Sequence, residues 1–434
     1  MARPFLSQAA RAVVVASLAL PACGGQAEHS SHDAPANSGS GAIGEPSGGH
    51  GGAVSGTGGG GTVAHAGSPS VTASAGDGDQ PVAAGAAQGG ATVITDAGSP
   101  SGGDATDGGA AAGGAPPVIN CDPIVFADPD LEATVRAELK KPTGPLNSGD
   151  VAGLQFLQTP AIGSLKGVEC LTDLTSLDIG SLPPGTVTDL SPLATLTKLE
   201  DISIMRNPVA SLEPLGKLPK LTQIFMASIP VELDLAPLAT APALDYLDIQ
   251  HDTIKSLAPL GSVPTLRTIK FRSGQLSIPA SVAAIKSVED LDATRVFSDA
   301  TPLAGLTKLK KLRISQKPLS NFSSLSGLVN LGLLDISGTG VTDISAVANM
   351  PKLVDFFAQS NAITDIGALS GLSQLSIVSL IDNQVSDVSA LATNTGLSSG
   401  DFVYVEQNKL VCAGQAANLQ ALQTRGVGVV SDCP

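Results

Sequence analysis

Apolar residues recur along residues 309–374 with a period of 22 residues. Within each period they fall at offsets 0, 3 and 5 and then near offsets 10, 13, 16 and 19, with a polar residue at offset 8. The alternation at offsets 3 and 5 is that of a β-strand, whereas the later spacing of three suits short helical or 3₁₀ turns. A single period cannot bury both of its faces, so the pattern predicts stacked turns around a shared aliphatic core.

The first apolar position of this period can be followed through ten turns, and the strand pattern returns once more at residues 400–410. These first positions are Leu174, Leu199, Leu221, Leu244, Leu266, Val288, Leu309, Leu331, Leu353 and Leu375. Their intervals are 21 to 23 residues, except for a first interval of 25 that contains Leu182-Pro183-Pro184-Gly185 and predicts a small outward loop. Regular intervals predict parallel strands that pair from turn to turn.

This spacing resembles the leucine-rich repeat L-x-x-L-x-L-x-x-N-x-L, and residues 121–434 resemble internalin-like bacterial proteins. The resemblance implies a leucine-rich-repeat solenoid of α/β type, with a parallel β-sheet on the concave face, short 3₁₀ or helical turns on the convex face and a helical N-terminal cap. In that family the offset-8 asparagine bonds the backbone of adjacent turns. It stands here at Asn207, Asn361, Asn383 and Asn408 only, which predicts a less regular ladder around residues 276–297.

The segments that flank the repeats have the features of caps. Asp128-Pro129-Asp130, followed by apolar residues at Leu131, Val135 and Leu139, predicts a capped amphipathic helix. Residues 126–146 resemble the N-terminal cap of internalin-like proteins, and the tail that contains the amphipathic stretch 416–422 resembles their C-terminal cap. We expect caps at residues 118–170 and 411–434 around repeats at 171–410, because uncovered end turns would expose apolar side chains and strand edges.

The first 117 residues have a different character. Arg3 and Arg11 precede an apolar run at residues 12–20 that is too short to span a membrane, a combination typical of an export signal. Leu20-Pro21-Ala22-Cys23 resembles a bacterial lipobox, which implies a lipoprotein signal peptide at residues 1–23, lipidation of Cys23 and, with Gly24 next, sorting to the outer membrane. An ordinary signal peptide cut nearby is the alternative. Residues 24–117 are rich in Gly, Ala and Ser and predict a disordered linker.

Four cysteines remain once Cys23 is set aside, and an even number in an exported chain suggests two disulfides. Four cysteines allow three pairings. The local choices at opposite ends of the repeats are Cys121 with Cys170 and Cys412 with Cys433, and free thiols are the alternative.

Composition limits the classes of function. A formal net charge of −15 argues against nucleic acid, because no basic patch is present to displace phosphate counterions. His251 beside Asp252 is the single histidine of the repeat region and reads as an exposed loop residue rather than a catalytic base, so we expect no enzyme activity, cofactor or metal. The other histidines lie in or at the start of the linker and read as inert: His29, His32, His50 and His65.

Side chains at offsets 2, 4 and 6 alternate with the buried ones and are expected to face outward on the concave side. At offset 4 the charges alternate in sign from strand to strand, as Asp248, Lys270, Asp292, Arg313 and Asp335. Neighbours in this column are expected to pair with each other, which would fix the register rather than bind a charged ligand.

Apolar and aromatic side chains also fall on these outward positions. They form our candidate ligand-binding set: Phe225, Tyr246, Leu333, Phe357, Ile377, Ile381, Phe402 and Tyr404. Grouped exposed aromatics favour a contact surface, with a patch covered by the C-terminal cap or by self contacts as the alternative. The resemblance implies recognition of a protein or glycan at a cell surface by an outer-membrane lipoprotein. The second hypothesis is a structural envelope scaffold without a foreign ligand.

Overall fold

The computed structural model describes residues 119–180, 182–250 and 252–434. The signal peptide, Cys23 and the linker predicted at residues 24–117 lie outside the described residues, and so does His251. The strands are β1 (Phe156–Gln158), β2 (Ser176–Asp178), β3 (Asp201–Ser203), β4 (Gln223–Ala227), β5 (Tyr246–Gln250), β6 (Thr253–Ile254), β7 (Thr268–Lys270), β8 (Gln275–Leu276), β9 (Asp290–Asp292), β10 (Lys311–Arg313), β11 (Leu333–Asp335), β12 (Asp355–Phe357), β13 (Ile377–Ser379), β14 (Phe402–Tyr404) and β15 (Gly428–Val430).

Thirteen of the described strands form one parallel sheet, in which each strand pairs with the strand of the next turn. The other two, β6 and β8, form a small parallel sheet of their own. Register follows the repeat: Leu312 lies opposite Leu291 on one side and Leu334 on the other. A given offset therefore lines up in one column across the sheet, as the constant sequence period predicts.

The predicted aliphatic positions form a continuous core. Each of the ten first positions, from Leu174 to Leu375, is at most 1 % exposed. Full burial of one such side chain stabilises the fold by about 1.5–3 kcal/mol, and stacking the turns buries them all on one shared axis. The predicted leucine-rich-repeat solenoid is confirmed.

Short 3₁₀ segments return the chain on the convex side. They are Val168–Cys170, Ser191–Thr195, Ala236–Thr240, Ala258–Ser262, Pro279–Ala284, Thr301–Leu303, Phe322–Gly327, Ser345–Asn349 and Gly367–Leu369, with one-turn helices α2 (Glu213–Gly216) and α3 (Ser389–Thr393) in equivalent places. Leu193 N donates to Leu190 O at 2.9 Å and Leu196 N to Leu193 O at 3.0 Å. The spacing of three suits these i→i+3 bonds and places the leucines on the side that faces the core.

The N-terminal cap contains helix α1 (Pro129–Glu138), as predicted. The Asp128 side chain accepts from Asp130 N at 3.0 Å and Leu131 N at 3.1 Å, which satisfies two of the free N–H groups of the first turn. Leu131 and Val135 are buried against the first repeats. A disulfide joins Cys121 to Cys170 and fastens the cap to the array.

At the other end, helix α4 (Cys412–Thr424) covers the last turns and buries Leu419 and Leu422. A second disulfide joins Cys412 to Cys433. Both local pairings expected from the sequence are thus present. The strand β15 that follows α4 is one that the repeat pattern does not predict. No helix among the described residues is long and apolar enough to cross a membrane.

The asparagine ladder also forms where the sequence supplies it. Asn207 Oδ1 accepts from Val187 N at 3.1 Å, and its Nδ2 donates to Ile179 O at 2.9 Å. Asn361, Asn383 and Asn408 make the same inter-turn bonds further along.

The residue before the ladder position has a positive φ in most turns. This left-handed conformation ends the strand and changes the direction of the chain. These offset-7 residues are Arg206, Ser228, Ser273, Arg295, Gln316, Gly338, Ser360, Asp382 and Gln407. A side chain at positive φ is strained, so only Gly338 adopts this conformation at little cost.

Candidate functional site

The concave face consists of the outward side chains of the thirteen-stranded sheet. On β2, β3 and β7 the outward residues are half-buried and the residue between them is buried, as strand alternation predicts. Along this face the structure separates the predicted set into two groups, with charged strands between them.

The first group is an aromatic pair on neighbouring strands β4 and β5. The ring centroids of Phe225 and Tyr246 lie 5.2 Å apart, and both side chains are half-buried. Tyr246 Oη donates to Asp248 Oδ2 at 3.3 Å, and Gln250 Nε2 donates to the same oxygen at 2.7 Å. Burial raises the pKa of Tyr246 to about 12 and also raises the pKa of Asp248, so the phenol remains a hydrogen-bond donor at neutral pH.

The charged strands β7, β9 and β10 follow in the sheet, and their ion pairs differ from the predicted pairing within the offset-4 column. Lys270 Nζ lies 3.2 Å and Arg313 Nη1 3.5 Å from Asp290 Oδ1, so both offset-4 cations reach an offset-2 carboxylate. Asp292 pairs instead with Arg272 at 3.4 Å. The long cationic side chains can reach diagonally, whereas the short Asp292 side chain accepts a bond at 2.9 Å from Thr294 Oγ1, two residues further along the same turn. The predicted column pairing is therefore wrong in its partners.

The second group is an apolar cluster on β11 to β14. Phe357 and Ile377 pack together, and Leu333 and Tyr404 pack against them. Phe357 is only 3 % and Ile377 only 5 % exposed, so the expectation that these two are exposed contact residues is wrong. Ser379 lies between Phe357 and Tyr404 in the register, and its small side chain leaves room for the flanking rings.

The accessible apolar side chains at this end of the face form what we call the C-terminal patch: Leu333 and Tyr404 of the cluster, together with Ile381 and Phe402, all of them half-buried. The rings of Phe402 and Tyr404 are 6.2 Å apart and nearly parallel, at 18°. Val430, opposite Tyr404 on β15 and 39 % exposed, extends the patch and was missed. The alternating apolar residues of Gly426-Val427-Gly428-Val429-Val430 were the signal that could have revealed it.

Buried acidic side chains on this face form hydrogen bonds with neighbouring residues of the chain. Burial raises the pKa of Asp335, whose Oδ1 accepts from Ser337 Oγ at 2.6 Å. In the part of the chain that the structure describes, no group of three or more His, Cys, Asp or Glu side chains is arranged to hold a metal ion.

Solved structures with the same architecture are numerous, whereas no protein-family model and no curated protein matches the sequence. An internalin from Listeria monocytogenes superposes with a TM-score of 0.58 and 25 % identity, over 72 % of this chain and 97 % of that chain. The functional domain of InlJ from Listeria monocytogenes, which includes a cysteine ladder, gives a TM-score of 0.46 and 20 % identity, over 66 % of this chain and 68 % of that chain. A leucine-rich-repeat protein of Leptospira interrogans gives a TM-score of 0.44 and 15 % identity, over 65 % of this chain and 91 % of that chain.

The superposition on the Listeria internalin supports a shared fold for the stacked parallel sheet of this chain. The residues that the structure describes form a leucine-rich-repeat solenoid with a cap at each end.

Proposed function

We propose that this protein is a non-catalytic recognition protein that binds a protein partner through the C-terminal patch of its concave face. The observation that carries the proposal is the cluster on β11 to β14, in which accessible Leu333 and Tyr404 pack against the buried side chains of Phe357 and Ile377. Aromatic anchors held by fixed neighbours are the usual centres of binding energy in protein interfaces, because little side-chain freedom is lost on association.

The surroundings of the patch support this use. The strands on its N-terminal side carry paired charges around Asp290, which form a polar rim rather than an extension of the apolar surface. A rim of this kind excludes nonspecific partners because it must be matched by polar groups of the ligand.

A glycan is the second candidate ligand, and it is favoured by a different observation. The adjacent rings of Phe225 and Tyr246 lie beside the carboxylate of Asp248 and the amide of Gln250. Sugar rings stack on aromatic faces while their hydroxyls bond to such groups, so this pair would take the glycan and the C-terminal patch the protein.

We place the protein outside the cytosol, attached to the outer membrane through lipidated Cys23. Two disulfides, Cys121–Cys170 and Cys412–Cys433, support an oxidising compartment. A Cys23→Ser protein is expected to leave the membrane fraction, and retention of that variant in the detergent phase would exclude the lipid anchor.

The function is tested by pull-down with the full chain from extracellular protein and from envelope extracts of the producing cell. A Phe402→Ala/Tyr404→Ala variant is the matched control, and the proposal requires that it lose the partner. Binding to envelope components alone, unchanged in this variant, would favour the structural scaffold instead.

A further inference from the structure

A second set of inter-turn hydrogen bonds runs along the edge of the solenoid where each turn leaves its strand. Leu233 N donates to Thr253 O at 2.8 Å, and Ser277 N donates to Ile254 O at 2.9 Å, which builds the sheet of β6 and β8. The pattern continues later in the chain, where Ser320 N donates to Ser298 O at 2.9 Å.

This ladder is interrupted between β8 and residues 298–300. Gln275 N and Ser277 N donate back to the preceding turn, so by strand alternation the N–H and C=O of Leu276 face forward. Ala300 N donates forward to Ser320 O, so the N–H and C=O of Asp299 face back. Within residues 252–434, β8 pairs with β6 alone, which leaves these two facing backbone edges unpaired.

A cavity of about 800 Å³ lies at this interruption, lined on its two sides by Leu276 and Asp299 among others. Its origin is local. The interval from Val288 to Leu309 is 21 residues, and Ser298 stands at offset 10, where neighbouring turns carry Leu276 and Leu319. Phe297 is buried one position earlier, and Ser298 is left exposed at the rim. The volume is in the range of ligand-binding clefts.

The charged side chains on the walls of this cavity favour an anionic ligand. The Arg295 side chain is exposed on its wall and makes no hydrogen bond or ion pair with the described part of the chain. Lys317 Nζ is also on the wall and donates to Val296 O at 2.6 Å. The one acid there, Asp299, accepts from Thr301 N at 2.9 Å and Asn321 Nδ2 at 3.0 Å, and these bonds hold its pKa below the usual range.

A second cavity, of about 410 Å³, lies on the same edge at residues 208–212 and 231–237, and it has the opposite character. Its walls carry Glu232 and Asp234 and no Lys or Arg. The edge therefore offers one cationic and one acidic opening, and only the first combines cations with two unpaired backbone edges.

We propose that the cavity between Leu276 and Asp299 binds an extended acidic peptide segment of a partner protein. The segment would add its backbone to the free edges of the two turns, as in β-strand addition, with acidic side chains toward Arg295 and alternate apolar side chains on Leu276 and Pro279. This surface is distinct from the concave face, so its occupation does not depend on the C-terminal patch.

The test uses the full chain and a fluorescent, N-acetylated hexapeptide in which glutamate alternates with valine. We expect saturable binding by fluorescence anisotropy. A peptide with lysine in place of glutamate and a peptide with N-methylated backbone amides should not bind. Arg295→Glu should weaken binding about tenfold or more, and Ser298→Tyr, which places a ring in the cavity, should remove it. Arg206→Glu is the matched control, because Arg206 has the same left-handed offset-7 conformation in another turn. This variant should bind the peptide as tightly as the wild type.

Lack of saturable binding of the acidic peptide would overturn the proposal. Equal binding of the N-methylated peptide, or wild-type affinity in Arg295→Glu, would do the same. Should Ser298→Tyr fail to fold by circular dichroism, the exposed Arg295→Glu change decides alone. The Phe402→Ala/Tyr404→Ala variant must retain hexapeptide binding, which separates failure of this proposal from failure of concave-face recognition.

Discussion

Asp252 Oδ1 accepts a hydrogen bond from Ile229 N at 2.7 Å, in the position where Asn207 Oδ1 accepts from Val187 N at 3.1 Å. The Asn207 amide also donates to Ile179 O. A carboxylate has no N–H with which to do so, and Asp252 Oδ2 is buried without a partner in the described structure. Asp252 is therefore a buried acid at a ladder position where only an amide side chain could make both inter-turn hydrogen bonds.

Replacing Asp252 by Asn should stabilise the protein at neutral pH. Burial raises the pKa of Asp252 to about 6, with the nearby charge of Asp248 adding to the effect, whereas an unfolded Asp titrates near about 3.9. The folded state thus binds the proton more tightly, and stability falls as pH rises from about 4 to about 6. We expect Asp252→Asn to gain about 1–3 kcal/mol in urea unfolding at pH 7.5 and little at pH 4.

Asp245→Asn is the control for that measurement, because Asp245 is exposed on the same turn. It should change the free energy of unfolding by less than about 0.5 kcal/mol at both pH values. An equal gain for Asp252→Asn at pH 4 and pH 7.5 would contradict the account.

The reverse change at a true ladder asparagine should have the opposite effect. Asn383 is 1 % exposed; its side chain accepts from Ile363 N at 3.0 Å and donates to Ala358 O at 2.9 Å. Asn383→Asp should cost about 2–4 kcal/mol at pH 7.5 and less at pH 4, where the acid can donate. Urea unfolding at the two pH values measures this, and a pH-independent loss would point to packing instead.

Mutations of the buried and of the accessible aromatic residues near the C-terminal end should have different effects on stability and on partner binding. Phe357→Ala removes a buried ring and should cost about 3–5 kcal/mol, seen as a lower melting temperature. Phe402→Ala and Tyr404→Ala remove half-buried rings and should cost less, while both weaken partner binding. A Tyr404→Ala protein as destabilised as Phe357→Ala would assign Tyr404 to the core.

Asp290 should matter more than an exposed acid, since Lys270 and Arg313 both lie within 3.5 Å of its Oδ1. Asp290→Ala would leave these cations facing each other across one strand, at a cost of about 1–3 kcal/mol that shrinks at 1 M salt, where repulsion is screened. Unfolding at low and high salt measures it. The exposed pair Lys217–Glu213 supplies the control, and Glu213→Ala should leave stability unchanged.

Gly338 tests the strain in the offset-7 position. Its φ is +65°, and a Cβ there would meet Gln316 Cα only at 3.7 Å, so strain arises from the backbone and not from crowding. Gly338→Ala should cost about 1 kcal/mol in urea unfolding. Gly305→Ala, with open space around it and no positive φ, should be neutral or slightly stabilising.

Local spacing along the chain is enough to predict the structure of each repeat. Apolar residues at offsets 0, 3 and 5 must be buried and the offset-8 asparagine must be bonded, so the core, the parallel register and the ladder followed from local spacing. Helix α1 could be predicted in the same way, since its N-cap Asp128 bonds to residues only two and three positions further on. The strands β1 and β15 were not, because short flanking segments become strands only when a neighbouring turn offers an edge.

The packing of adjacent turns sets the exposure and the ion pairs of the outward side chains, which spacing does not predict. Alternation predicts that Phe357 and Tyr404 point to the same side, but not that Phe357 is 3 % exposed while Tyr404 stays half-buried. It predicts charges near each other, yet not that Lys270 reaches Asp290 rather than Asp292. The spacing of one chain fixes which way a residue faces, whereas burial and pairing depend on the lengths of side chains from adjacent turns, which meet only once the solenoid has stacked.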